Sequence, residues 1–570
     1  MLEAGLRLFG FGSSYPLFVE AEEAPGYLTV NRGVIRRFMA DESRTPNLWI
    51  RPVFFPRKKP SDTFRIVVQG GSTAEGFPYG FPASVAAMLQ QRLQRTFPDR
   101  KVEVITTAMS AVNSYTLLSF TDEIIEQQPD AVVIYAGHNE YVGIMGVGTG
   151  FSVGRHRWLV LTFLRFKELR FFQLWQRVLA SLTPNPEKQD GKRRTLMATI
   201  VREKQIPMDS DLYQRGLAQF RANLDAILSR YHRSGIPVFI GTLASNLRDQ
   251  PPFIGGHHPL ADVASLVEHF VAGQKMLSLG FPGEALAEFD KAVEIDSSHA
   301  GGHYGRGQSL DQLERFEEAH EAYLVAKDLD QLRFRAPEAV NDIIRELAAK
   351  QGAHLVEVPF ALAAEARDGI VGKDLMLEHL HPNLRGYFLL ADAFYQAMHA
   401  QEMIGPWTHS VSREQAWEVI PVTEVDRLYG EWRAEYLKSD WPFKPKKVAF
   451  RVPRGDTRVE RIASGYYRQR YDWPEAMQRL LDHYRKEDRV DEAARVAMLL
   501  AEAFPFKTEA QITAAGLLIQ AGRPEAEVYF RHALERASPS DRHQLKIASK
   551  AFTDGDRSEA LKILAMLRHP

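Results

Sequence analysis

Between residues 61 and 145 three short apolar runs, "FRIVVQGG", "KVEVITTA" and "PDAVVIYAG", are separated by amphipathic stretches near 83–96 and 114–127. The runs do not alternate polar with apolar residues, so each strand must be buried on both faces. That is the pattern of a parallel sheet covered by helices on both sides. The scheme returns downstream, where "LYQRGLAQFRANLDAILSRYHRSG" reads as a helix before the strand "IPVFIGT", and "NDIIRELAAKQG" as a helix before "AHLVEVP". An α/β fold follows, and in such sheets reactive groups gather at the carboxyl ends of the strands.

One of those ends carries "GGSTAEG", residues 70–76, which places Ser72 on a strand-to-helix turn. Glycines that close the turn and a serine that caps the helix account for the pattern. A nucleophilic Ser72 accounts for it equally, provided that a base, an orienting acid and oxyanion donors can be found. In "YAGHNEY" a second buried run ends on Gly137 and presents His138, Asn139 and Glu140 to the same edge. The Asn139 amide suits a fixed dipole aimed at a developing oxyanion, although an Asn closing a turn looks the same in sequence. The run "VEVITTAMSAVNSYT" ends near Ala108, whose backbone N–H is a further candidate donor.

Late in the chain, "LMLEHLHPNLRGYFLLADAF" sets Glu378, His379 and His381 before a proline and an amphipathic helix. Glu378 and His381, three apart, can reach one site, the carboxylate setting the imidazole tautomer and His381 accepting the Ser72 proton. The same three side chains admit a metal site or a helix-capping loop as alternatives, but no further ligand cluster is evident and no cofactor or metal is expected.

The βα pattern is interrupted between about 261 and 331. There Gly280 matches Glu314, Ala285 matches Ala319, Phe289 matches Tyr323, Ala292 matches Ala326 and Asp296 matches Asp330, at a constant offset of 34 residues. This period, with small residues at helix crossings and an aromatic in the second helix, resembles the tetratricopeptide repeat, as a brace or as a protein-binding array. A similar period returns at Arg489, Arg523 and Arg557. The expected organisation is an N-terminal arm (1–60), a core (61–260 and 332–405) with an insertion at 151–200, inserted repeats (261–331), a connector (406–479) and C-terminal helical repeats (480–570).

A formal net charge of -1 over 570 residues gives no bulk attraction for nucleic acid, and zero cysteines exclude disulfides and thiolate catalysis. No run reaches the roughly 20 apolar residues needed to span a bilayer. Within residues 155–182, Phe171, Phe172, Trp175, Val178, Leu179 and Leu182 share one side of a helical wheel, with Arg170, Gln173, Gln176 and Arg177 on the other. That pattern fits a membrane-interface element, a lid over an acyl site, or a helix packed on the body of the protein. The stretch 183–195 reads as a surface loop, as does "GGHHP" at 255–259. Arg333 and Arg335 could clamp a carboxylate or phosphate, and Asn246 and Arg248 end another strand near the proposed site.

Taken together, G-G-S after the first strand, G-x-N after a later one, and an acid three residues before H-P resemble the SGNH (GDSL-type) hydrolase superfamily, in the family's order. The resemblance covers 64–145 and 215–395. It implies a flavodoxin-like three-layer core with Ser72 as nucleophile and N–H donor, Ala108 and Asn139 as oxyanion donors, His381 as base and Glu378 as its partner. Two departures stand out: Ala108 falls where the family has a glycine, and Glu378 where it usually has Asp. The subgroup most resembled is bacterial, envelope-associated and repeat-bearing, which implies an envelope location. Expected functions are a serine esterase acting on an acyl ester, with a glycan or a lipid as candidate carriers; an acyl transferase to a glycan; or a non-catalytic repeat scaffold.

Overall fold

The eight-residue strand Thr63–Gly70 is buried along its whole length, as the unbroken apolar run requires. The computed structural model describes residues 1–567 apart from 41, 43, 44, 47–51, 151–155, 183–195, 257, 259 and 260. Eight strands are described: β1 (Phe18–Glu20), β2 (Tyr27–Val30), β3 (Phe55–Pro56), β4 (Thr63–Gly70), β5 (Lys101–Thr106), β6 (Ala131–Tyr135), β7 (Val238–Gly241) and β8 (His354–Val356). The first three form a small antiparallel sheet. The other five form a parallel sheet in the order β5-β4-β6-β7-β8. Helices Val85–Thr96 and Leu384–Ala400 pack together on one face, and Ser114–Ile125, Asp211–Arg233 and Glu338–Gln351 on the other.

Renumbered within the sheet, the order is 2-1-3-4-5, the flavodoxin-like arrangement. The chain leaves β4 towards one edge and returns to β6 on its other side, so the crevice between their carboxyl ends is the topological switch point. Ser72 follows β4 and Asn139 follows β6. Topology alone therefore places both beside the crevice where this fold accommodates a ligand.

Between β7 and Glu338–Gln351 stand four helices, Val263–Ser278, Pro282–Ile295, Ala300–Gln312 and Phe316–Leu329. The 34-residue offset is structural: Ala285 and Ala319, Phe289 and Tyr323, Ala292 and Ala326, and Asp296 and Asp330 are all buried. A Cβ on Gly305 would lie 2.4 Å from the Phe289 ring, and one on Gly307 would lie 2.7 Å from that of Tyr323, so glycine permits both crossings.

The stretch 406–479, expected to be a connector, contains helices Arg413–Trp417, Glu424–Lys438 and Arg458–Tyr467. The expected boundary at 480 falls inside helix Trp473–Lys486. Val425 and Tyr429 share one core with Trp473, Met477 and the helices that follow, so the C-terminal stack begins at Glu424. Three capping boxes, Ser412/Gln415, Thr423/Asp426 and Thr457/Glu460, mark these helix starts.

Candidate active site

β4 delivers its last residue into very little space. A Cβ on Gly70 would stand 2.4 Å from that of Ala74 and 2.5 Å from the Tyr135 carbonyl oxygen. Gly71 is the cap of the single turn Ser72–Glu75, and Gly76, at φ +90°, ends it. The Ser72 hydroxyl is therefore not used as a cap. Its Oγ lies 2.8 Å from His381 Nε2.

His381 is held by its own loop. Leu377 N–H donates to the His381 carbonyl at 2.9 Å, folding 377–381 back on itself, and the cap of the next helix is Asn383, which accepts from Gly386 N–H at 3.0 Å. Both His381 and Glu378 are thereby left free of capping. One carboxylate oxygen of Glu378 contacts His381 Nδ1 and accepts the His381 backbone N–H at 3.1 Å. The other contacts His379 Nδ1. His379 is enclosed by the rings of Phe253, Phe334 and Phe443, at centroid distances of 5.4, 5.7 and 5.5 Å. Burial pushes the imidazole of His379 well below its ordinary pKa. Burial, with a smaller contribution from the Arg433 guanidinium, also lowers that of His381. The resting His381 ring is thus the neutral form, which can take a proton at Nε2.

Asn139 stands close by, since a Cβ on Gly71 would lie 3.1 Å from Asn139 Nδ2. Its turn is closed by the backbone, Gly143 N–H donating to the Asn139 carbonyl at 2.7 Å. The Asn139 side chain is not spent on the turn. Its neighbours His138 and Glu140 are buried, with His138 Nδ1 accepting the Ala336 N–H at 3.2 Å.

Several expectations need correction. The Ala108 N–H donates to Thr106 Oγ1 at 3.2 Å and is not available to an oxyanion. Three residues on, Ala111 is held at φ +63°, its carbonyl accepting Ile144 N–H at 2.7 Å, while its own N–H meets no acceptor among the described residues. A non-glycine residue in the left-handed region is rare, and sequence offers no sign of it. Arg335, expected to bind substrate, is buried and donates to the carbonyls of Asn246 and Gln250, both at 3.0 Å, and to Asp330 at 3.2 Å. Asn246 is buried too, its Oδ1 accepting Asp249 N–H at 2.9 Å and its N–H donating to the His379 carbonyl at 3.0 Å. Both brace the loop behind Glu378. Arg333 and Arg248 are likewise committed, the first to the Ile206 carbonyl and the second to Asp311.

The segment expected as one amphipathic helix is two, Arg157–Lys167 and Arg170–Leu182. Its polar side packs inward: Gln173 is buried and donates to the carbonyls of Ser13 and Lys167, both at 2.9 Å, and Arg170 donates to Ser14 Oγ at 2.8 Å. Phe171 and Trp175 keep 41% and 57% of their surface exposed, the reverse of a helix packed through its aromatic face. The side chains of Leu179 and Leu182, the stretch 183–195 expected to be a surface loop, and both His257 and Pro259 of "GGHHP" lie outside the described residues.

Two neighbours escaped sequence reasoning. Glu75, one turn after Ser72, accepts from Ser110 Oγ at 2.6 Å, and removal from water raises its pKa to about 7. Arg433, from helix Glu424–Lys438, stacks 4.6 Å from the Phe77 ring centroid. Phe77 in turn packs on the His381 ring, centroid to centroid 4.6 Å.

No family model matches the chain, and no curated protein matches it. Among solved structures it is similar to an acetylxylan esterase from Geobacillus stearothermophilus (12% identity, 61% of this chain and 97% of that one, TM-score 0.27). It is also similar to a lipase/acylhydrolase from Enterococcus faecalis (12% identity, 59% and 96%, TM-score 0.26). A third is a GDSL-like lipase from Bacteroides thetaiotaomicron VPI-5482 (12% identity, 59% and 88%, TM-score 0.25). At similarity this low, chemistry has to be read from the residues themselves.

Proposed function

We propose that the chain is a serine esterase of the SGNH type, acting on an acyl ester through an acyl-enzyme. The single observation that carries this reading is the contact of Ser72 Oγ with His381 Nε2 at 2.8 Å, with Glu378 on the opposite ring nitrogen. Ser72 Oγ attacks the ester carbonyl and its proton passes to His381 Nε2, while Glu378 stabilises the imidazolium that forms. The carbonyl oxygen becomes an oxyanion, for which the Asn139 amide and the N–H groups of Ser72 and Ala111 are donors without acceptors among the described residues. His381 returns the proton to the departing alcohol oxygen. Water then attacks the acyl-Ser72 carbonyl with His381 again as base, giving the free acid and restoring Ser72.

Covalent labelling of folded protein by a fluorophosphonate, mapped to Ser72 by peptide mass, tests the reading. Labelling that is absent, or that persists in Ser72→Ala, rejects it. Supplying a glycan acceptor during turnover separates hydrolysis from acyl transfer by the product, free acid or acylated sugar. The outward aromatic side of 157–178 supports a membrane-surface role at the cell envelope, tested by flotation with lipid vesicles. Among the described residues no helix is long and apolar enough to cross a membrane. The inserted hairpins are assigned to bracing or to a protein partner, which truncation at 261–331 would expose as loss of folding or of binding.

A further inference from the structure

Most arginines near the sheet's carboxyl edge are already paired. Arg248 grips Asp311 and Asp368, and Arg335 grips Asp330. Arg433 is different. Its one hydrogen bond, from Nη1 to the Pro78 carbonyl, is 3.2 Å long, and no carboxylate lies within ion-pair distance among the described residues. The residue is half-buried, and its Nε and Nη2 make no hydrogen bond to another described residue. The plane is held by two rings, Phe77 at 4.6 Å and Tyr429 at 5.4 Å. Because Phe77 also lies on His381, the free edge is fixed one ring away from the imidazole.

A half-buried guanidinium held by aromatic stacking, without a carboxylate, is a prepared anion site. We propose that Arg433 binds a carboxylate or similar oxyanion carried by the substrate, and so selects anionic acyl esters over neutral ones. The inference rests on the esterase reading of Ser72. The anion could lie on the acyl group or on the alcohol, because Arg433 comes from the C-terminal helical stack and adjoins His381 through the Phe77 ring. The effect of the guanidinium on both Glu75 and His381 agrees with this position.

The experiment compares matched pairs. On the acyl side, 4-nitrophenyl adipate monoester is set against its methyl ester. On the alcohol side, an O-acetyl uronic acid is set against its methyl ester. One of the two pairs is expected to show a kcat/KM preference for the anion of about tenfold or more, carried in KM, as a charge-assisted hydrogen bond supplies. In Arg433→Gln that preference falls towards one, and in Arg433→Lys part of it returns. A charged-to-neutral ratio near one for both pairs overturns the inference, as does a ratio that survives Arg433→Gln. A readout independent of turnover is calorimetric binding of monomethyl adipate and of the uronate to Ser72→Ala protein. Binding there, lost on adding Arg433→Gln, upholds the anion site even if Ser72 proves unreactive, and absence of binding of both anions rejects it. Fluorophosphonate labelling reports separately on the esterase reading.

Discussion

Two glutamates lie buried behind the same sheet edge, one bonded directly to a serine and the other linked to one through an imidazole, and their surroundings differ in kind. Glu140 accepts from Ser114 Oγ at 2.9 Å, Ser114 N–H at 3.1 Å and Gln219 Nε2 at 2.7 Å, and Asn223 donates to Ser114 Oγ at 2.9 Å. Every polar group there faces another fixed group. Glu378 instead holds the His381 imidazole, whose other nitrogen reaches Ser72 at 2.8 Å. A Ser–Glu contact is thus not a catalytic device by itself. What distinguishes the second site is an interposed base, neutral at rest, between the carboxylate and the hydroxyl.

The largest effect that follows from the contrast is on Ser72. Ser72→Ala should lower kcat/KM for a small acyl ester by about 10⁴–10⁶ with unchanged thermal unfolding, as measured by stopped-flow or endpoint assay and calorimetry. A rate within tenfold of the parent would place the chemistry elsewhere. Glu378→Gln comes next. It keeps the shape but offers Nδ1 an amide, and a fall of about 10³–10⁴ is expected. The parent should also keep its activity on acidification to below the ordinary histidine pKa of about 6.5, because the lowered pKa of His381 keeps the imidazole neutral there. A rate-versus-pH profile whose acid limb lies above pH 7 would contradict this. Smaller again is Asn139→Ala, where loss of one oxyanion donor should lower kcat by about 10²–10³ and leave KM nearly as it was.

The strands and their order of use were legible because parallel sheets demand unbroken apolar runs, as in "FRIVVQ" and "AVVIY". The strand-to-helix turn at Ser72 and the pairing of Glu378 with His381 were legible because glycine geometry and H-P spacing are local. Ala108 misled for a physical reason: any residue supplies an N–H, and only the fold shows that Thr106 has already taken this one while Ala111, in a left-handed turn, keeps its own. Arg335 misled because an arginine written in sequence looks the same whether it meets Asp330 or solvent. Arg433 was invisible because it lies more than 50 residues beyond His381 and reaches the site only through the packing of a later helix. The helix starts in 406–479 could have been read from their capping boxes, had apolar periodicity not been the main guide there.

The smallest effect returns to Glu140 and acts on stability alone. Burial, set against its hydrogen bonds, raises this carboxyl from 4.5 to about 7. The folded state therefore holds its proton more tightly than the unfolded chain does. Stability from this group is fully present below pH 4.5 and is lost as the pH rises through 7. Glu140→Gln cannot titrate, so the fall in unfolding free energy between pH 5 and pH 8 should shrink by about 1–3 kcal/mol relative to the parent, measured by denaturant titration at both pH values. Some slope must remain, because Glu75 and Glu502 are raised to about 7 as well and titrate in the same window. Esterase turnover per folded molecule should not change, since Glu140 faces Ser114 and Gln219 and not the Ser72 crevice. A variant that keeps the full pH slope, or that loses turnover while folded, would erase the distinction between the two carboxylates.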